Sequence, residues 1–348
     1  MESAIPGHLR CPRTQPRRAA DDFIPPFESS VARFDPNVTQ VVMAYFGVQF
    51  RGDSIPMGAQ SALSALAVAF DKEGGAGSWD RAVHVDEAGF TNVLSVAYWK
   101  SPTKFQAWFE RWAAGWAQDA VAGNSAGTFS EIVKPSVDRF ETLFSSDLTE
   151  GVARVSTRLS NPVLEHGYWG GARDRMPISQ SDILSPSGVP RVVTRGLHQR
   201  VIAHDNLCLI RSGQDWGATE GPERRLYLEE VEPVLRAGMD FLRDSGLSVG
   251  CFVNRYMTVL DNAGELTEKR FGMSWWRSLT ALERWAECHP THLAIFAAAM
   301  RYLTTMGAAA KLRLYHEVTV ATAEQQSFEY YNCHPKTGLL RATTTSEW

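Results

Sequence analysis

The sequence is short of the features that settle a function class early. It has no CxxC and no close cysteine pair; its five cysteines (Cys11, Cys208, Cys251, Cys288, Cys333) are scattered and odd in number. That pattern argues against a disulfide framework and for a reducing compartment. The strongest apolar run, near Leu293–Met300, is far too short to span a bilayer. The N-terminus has basic residues but no apolar core, so it does not read as a secretory signal, and the cytoplasm is the expected compartment. GxSxG, HExxH, Walker and GxGxxG motifs are all missing, which removes serine-hydrolase, zincin and common nucleotide-binding readings. A net charge of -4 gives no reason to expect nucleic acid or an anionic membrane as partner.

What is present is an ordinary globular composition of 348 residues, rich in aromatics: eleven Trp and seventeen Phe. Residues 1–38 read as an extended arm with Pro25-Pro26-Phe27. QVVMAYFGVQF at 40–50 reads as a buried strand, 61–70 as a helix, and 83–85 with 92–99 as a hairpin. A helix at 104–116 and a strand at 138–144 complete a first half, 39–160. A connector, 161–190, contains EHGYWGGARDRMPIS. The second half, 191–325, repeats the order: strand 206–212, helix 226–243, hairpin 251–260 with 271–276, helix 279–287, an apolar helix from Thr291, and strand 311–321. A C-terminal segment, 326–348, follows.

The two halves share landmarks. Trp99-Lys100-Ser101 precedes Trp108, and Trp276-Arg277-Ser278 precedes Trp285, by the same nine residues, and both hairpins turn at Asp-x-Ala-Gly. By this count Glu141 and His316 fall on corresponding strands. A strand–helix–strand unit used twice, with antiparallel strands and helices on one side, predicts an α+β fold of two ferredoxin-like halves forming a barrel-like sheet.

Two histidines stand out. Alternation along 311–321 puts His316 on one face with Leu312, Leu314 and Val318. It reads either as a core histidine satisfied by a carbonyl or as an acid/base in a dry pocket. His289-Pro290-Thr291-His292 opens the apolar helix. Zinc has no third ligand at a characteristic spacing, whereas haem needs one neutral imidazole and room for a flat ring. The Ala-rich helix (Ala294, Ala297, Ala298, Ala299) gives that room, though small residues also serve helix packing. Ser212 reads as a turn hydroxyl.

Four motifs in order carry a resemblance: HGYWGxxRxRxPIS at 166–179, LIRSGQDW at 209–216, HPTHL at 289–293 and LRLYHEV at 312–318. MxYxGVQFRG at 43–52, YWK at 98–100, MDFLRD at 239–244 and the late YxNCHPxTGxLR extend it over residues 1–341. The chain resembles the bacterial haem-containing aldoxime dehydratases, of phenylacetaldoxime and aliphatic type. The resemblance implies haem b, active as ferrous iron, and conversion of an aldoxime, R–CH=N–OH, to a nitrile plus water. It implies His292 as the axial ligand of the haem iron and His316 as the distal acid/base. Ser212 is implied as a partner of the substrate hydroxyl, Arg175 as a distal polar residue, and Glu141 as the carboxylate supporting His316 and Arg175. It also implies a homodimer of dimeric α+β barrel type. A haem peroxidase or chlorite-dismutase-like oxidoreductase on the same scaffold, or a haem-storage protein, is the other reading, since fold does not fix chemistry.

Overall fold

The computed structural model describes residues 1–52, 54–123 and 126–343; residues 344–348 of the C-terminal segment lie outside them. After β1 (Ala32–Arg33), the first half runs β2 (Val42–Phe50), α1 (Met57–Phe70), β3 (Ser78–Val85), β4 (Thr91–Trp99), α2 (Pro102–Trp108) with a wider turn at Phe109–Ala113, α3 (Gln118–Ala122) and β5 (Gly127–Val133). β6 (Phe140–Phe144), β7 (Arg158–Leu159), α4 (Gly171–Arg175) and the hairpin β8 (Arg191–Arg195) with β9 (His198–Ile202) lead to the second half. There follow β10 (Leu207–Asp215), α5 (Gly221–Leu226), α6 (Glu232–Ser245), β11 (Cys251–Leu260), β12 (Leu266–Trp276), α7 (Leu279–Cys288), α8 (Pro290–Met306), β13 (Arg313–Ala321) and β14 (Gln326–Tyr331).

Among the described residues, twelve strands form one antiparallel sheet in the order β6-β13-β10-β12-β11-β3-β4-β2-β5-β14-β9-β8. The pairing of β11 with β3 joins the halves, and the four strands on either side of it mirror one another. β2 shows why its sequence is apolar without alternation. Met43 and Tyr45 enter the inner core shared by both halves, while Val42, Ala44 and Phe46 pack under α1 and α2. A strand buried on both faces has no polar side to display.

The same two-sided burial governs β13. Val318 and Val320 face the core under α7, and His316 shares their parity. On the opposite face Tyr315 and Glu317 are also buried. Glu317 there accepts hydrogen bonds from Tyr98 Oη at 2.5 Å and Val152 N at 2.7 Å.

The landmark count misplaced one strand. The last strand of the first half is β5, which occupies the position β13 holds in the second. β6, carrying Glu141, is the direct neighbour of β13. In GTFSEIV, the sequence of β5, Thr128, Ser130 and Glu131 blur the apolar pattern of a strand. The buried Glu131 carboxylate is paired by Arg255 at 2.7 Å, a residue 124 positions away. The 104–116 helix widens after Trp108 and ends at Ala113, short of Trp116, and Trp112 is exposed.

Candidate active site

The β6-β13-β10 register assembles the site. On β13, His316 lies opposite Leu143 of β6 on one side and Ser212 of β10 on the other. Glu141 lies opposite Val318, two residues along the same face, so it is the diagonal neighbour of His316, within reach of a long side chain. Glu141 Oε1 stands 3.0 Å from His316 Nε2.

Arg175, the last residue of α4, completes the group. Its Nε donates to Glu141 Oε2 at 2.6 Å and its Nη2 to Oε1 at 3.3 Å. Nη1 donates to the Glu165 carbonyl at 2.7 Å, and Nη2 lies 2.9 Å from His316 Nε2. The Glu141 and Arg175 side chains are almost fully buried. Burial alone would push the Glu141 carboxyl up, but the Arg175 guanidinium and then His316 outweigh it and hold the carboxyl below its usual range.

The two contacts at His316 Nε2 require different proton inventories. With a proton, Nε2 donates to Glu141; without one, it accepts from Arg175. Either charge state of the ring has a partner in place.

His292 sits in the first turn of α8, after Pro290, where the missing N–H costs nothing. Its Nδ1 bonds the Ala286 carbonyl at 2.9 Å, so the proton sits on Nδ1 and the Nε2 lone pair is free for a ligand. Trp285 and Trp169 flank the ring at 4.6 and 5.4 Å between centroids. Burial pushes its pKa down to about 4, against the opposing Ala286 bond, so the ring is neutral near pH 7. His289 does something else: it caps α8 by accepting from Thr291 N at 3.3 Å, and it stacks on Phe241.

Two adjoining cavities, of about 290 and 270 Å³, share Leu143, Ser212, Phe296 and His316 in their walls. The first is apolar and bounded by Leu235, Ile295, Ala299 and Leu314. The second reaches Trp169, Arg175 and His292. Four of the five residues singled out in the sequence therefore line connected space, and Glu141 stands directly behind Arg175. A neutral imidazole with an unused lone pair, in the wall of the second cavity beside the apolar first one, fits a haem.

Several residues at the site carried no signal of their own. Phe27 and Ser29 of the arm line the larger cavity. His166 is fully buried beside Phe27, and burial followed by Arg175 lowers its pKa to about 4. Asp174 is buried beside Arg175 in the chain. The Gly-rich connector marked their neighbourhood, but which polar residue faced inward depended on the arm folded over it.

Comparison with known proteins places the chain in a family. Residues 44–339 match the family model for haem-containing dehydratases. The chain is 44% identical over 353 residues to an aliphatic aldoxime dehydratase of Pseudomonas sp, covering 99% of each chain. It is 34% identical over 322 residues to a phenylacetaldoxime dehydratase of Bacillus sp. (strain OxB-1), covering 89% of this chain and 90% of that one. A crystal structure of an aldoxime dehydratase in complex with butyraldoxime superposes with a TM-score of 0.94 at 43% identity, covering 99% and 97% of the two chains. The chain belongs to the haem-containing dehydratases.

Proposed function

We propose that this protein dehydrates aldoximes, R–CH=N–OH, to nitriles and water, using ferrous haem b held by His292. One observation carries the reading: His316 Nε2 lies between Glu141 and Arg175, at a cavity whose wall also holds the neutral His292. Bound haem supplies a coordination point for the oxime nitrogen. The remaining chemistry belongs to side chains.

Hydroxide is a poor leaving group, so the N–O bond breaks only if its oxygen gains a proton. His316 as imidazolium delivers that proton; the N–O electron pair leaves with oxygen and water departs. The neutral ring then takes the C–H proton, and the C–H electrons become the third C–N bond. Histidine suits both transfers because its ordinary pKa, about 6.5, lies near neutrality. Glu141 stabilises the charged ring against desolvation. Arg175 and Ser212 orient the hydroxyl and meet the charge developing on it.

The same reading covers the architecture: two related ferredoxin-like halves, 39–160 and 191–325, with the arm 1–38, the connector 161–190 and the segment 326–348 packed around them. The mirrored strand order about β11 and β3 supports it. A cytoplasmic homodimer completes the proposal, supported by five free cysteines and an exposed edge strand, β8. No helix among the described residues is long and apolar enough to cross a membrane.

Two variants test the assignment. His316→Ala should keep haem and lose turnover by about 10³-fold, within the usual range for a general acid/base. His292→Ala should lose or mis-ligate haem. A His316→Ala enzyme of near-normal rate would overturn the role given to this ring.

A further inference from the structure

Arg175 projects from a helix that cannot hold its own direction. α4 is a single turn of five residues with no side-chain cap at its start, and a lone turn is not stable by itself. Its fixing comes from the N-terminal arm. Asp174, 1% exposed, accepts hydrogen bonds from Arg18 N at 3.1 and 2.9 Å, Ala19 N at 3.0 Å and Tyr168 Oη at 2.8 Å. On the other side, Glu165 accepts from Ala4 N at 2.8 Å and Ser3 Oγ at 3.1 Å, while its carbonyl receives Arg175 Nη1. The Arg18 side chain continues to Glu287 on α7. The arm thus grips the segment at two points, at Asp174 beside Arg175 and at Glu165 ten residues before it.

Asp174 is an unusual group to bury for mere cohesion. Its hydrogen-bond donors are two backbone amides and a phenol, none of them cationic, so these bonds, and no ion pair among the described residues, replace its lost hydration. All three donors converge on Oδ2, and Arg18 N also lies 3.1 Å from Oδ1.

We propose that Asp174 is a positioning residue: by tying Arg18, Ala19 and Tyr168 to α4, it sets the direction in which Arg175 reaches His316 and Glu141. The inference rests on the role given to Arg175 above. Asp174→Asn sets an N–H donor against Arg18 N in the place of Oδ1 and makes the oxygen that all three donors share a weaker, uncharged acceptor, so the arm loosens while shape is kept.

The test is a double-mutant cycle on the haem-loaded enzyme with butyraldoxime, using Asp174→Asn, Arg175→Lys and the pair together. Asp174→Asn should lower kcat by about tenfold, as a small misplacement of an orienting group does, with KM and haem content near wild type. The double variant should be no slower than Arg175→Lys alone. Losses that multiply in the double variant, or a wild-type kcat per haem for Asp174→Asn, would overturn the proposal. If Asp174→Asn does not fold, Tyr168→Phe, which leaves both arm amides in place, is cycled against Arg175→Lys by the same criterion, with a smaller loss expected. An Arg175→Lys enzyme as fast as wild type would instead overturn the role of Arg175 itself.

Discussion

His316 is half-buried, yet its Nε2 has an acceptor at 3.0 Å and a donor at 2.9 Å, so changing its charge leaves no polar group stranded. That separates it from an ordinary core histidine, which keeps one tautomer for one partner. Glu141 carries much of the arrangement. Its folded carboxyl lies below the ordinary value of 4.5, so its ionised form adds stability above that value, and the contribution is lost as pH falls through the folded one. Glu141→Gln leaves Arg175 without a buried counter-charge, and we expect a loss of about 3 kcal/mol near neutrality. The gap between the variant and wild type should close as pH drops below 4.5. Urea midpoints across that range measure it, and a gap independent of pH would refute the electrostatic account. The two key histidines were legible in the sequence because each is a polar residue in an apolar setting. The landmark count pointed to Glu141 but paired its strand wrongly, and the roles of Arg175 and Glu141 came only through resemblance, since nothing local distinguishes them from surface charges.

At the scale of elements, close strand packing fixes the site's width. An added Cβ at Gly213, next to Ser212, would meet the Tyr315 ring at 2.2 Å across the β10–β13 ladder. Gly213→Ala should therefore cost about 2 kcal/mol of stability, typical of overpacking, and lower kcat by displacing Ser212. An unchanged Tm would contradict it. A second element-level tie joins the β3–β4 turn to the chain beyond β14. Burial would raise the Asp86 carboxyl, but the bond from His334 at 2.9 Å, aided by Phe90 N and Asn92, brings it to about 2. Asp86→Asn should lower Tm at neutral pH. Wild type should lose that advantage as pH falls from 3.8 toward about 2, which thermal melts would follow. The elements read correctly in advance, β2, β13 and the two hairpins, are those whose apolar pattern or turn residues suffice locally. β5 escaped because its buried charge is matched only by Arg255 on a distant strand. The arm's grip on α4 escaped because extended segments carry no periodicity.

For the whole molecule, one sheet bridges the halves, and the site lies where its β6-β13-β10 end meets α8 and the arm. The mirrored strand order was foreshadowed by repeated tryptophans and Asp-x-Ala-Gly turns. The count failed only where the chain adds β6 after the first unit, and that added strand brings the carboxylate to the histidine. In the proposed reaction helix α8 supplies the imidazole that holds haem and the sheet supplies the proton carrier, while the arm closes the wall. The most direct test is the absorption spectrum of the haem-loaded protein, reduced anaerobically, before and after butyraldoxime. A Soret band that shifts on addition and relaxes as butyronitrile accumulates is the predicted result. A protein that takes up no haem, or a coloured one that leaves the aldoxime unchanged, would contradict the account.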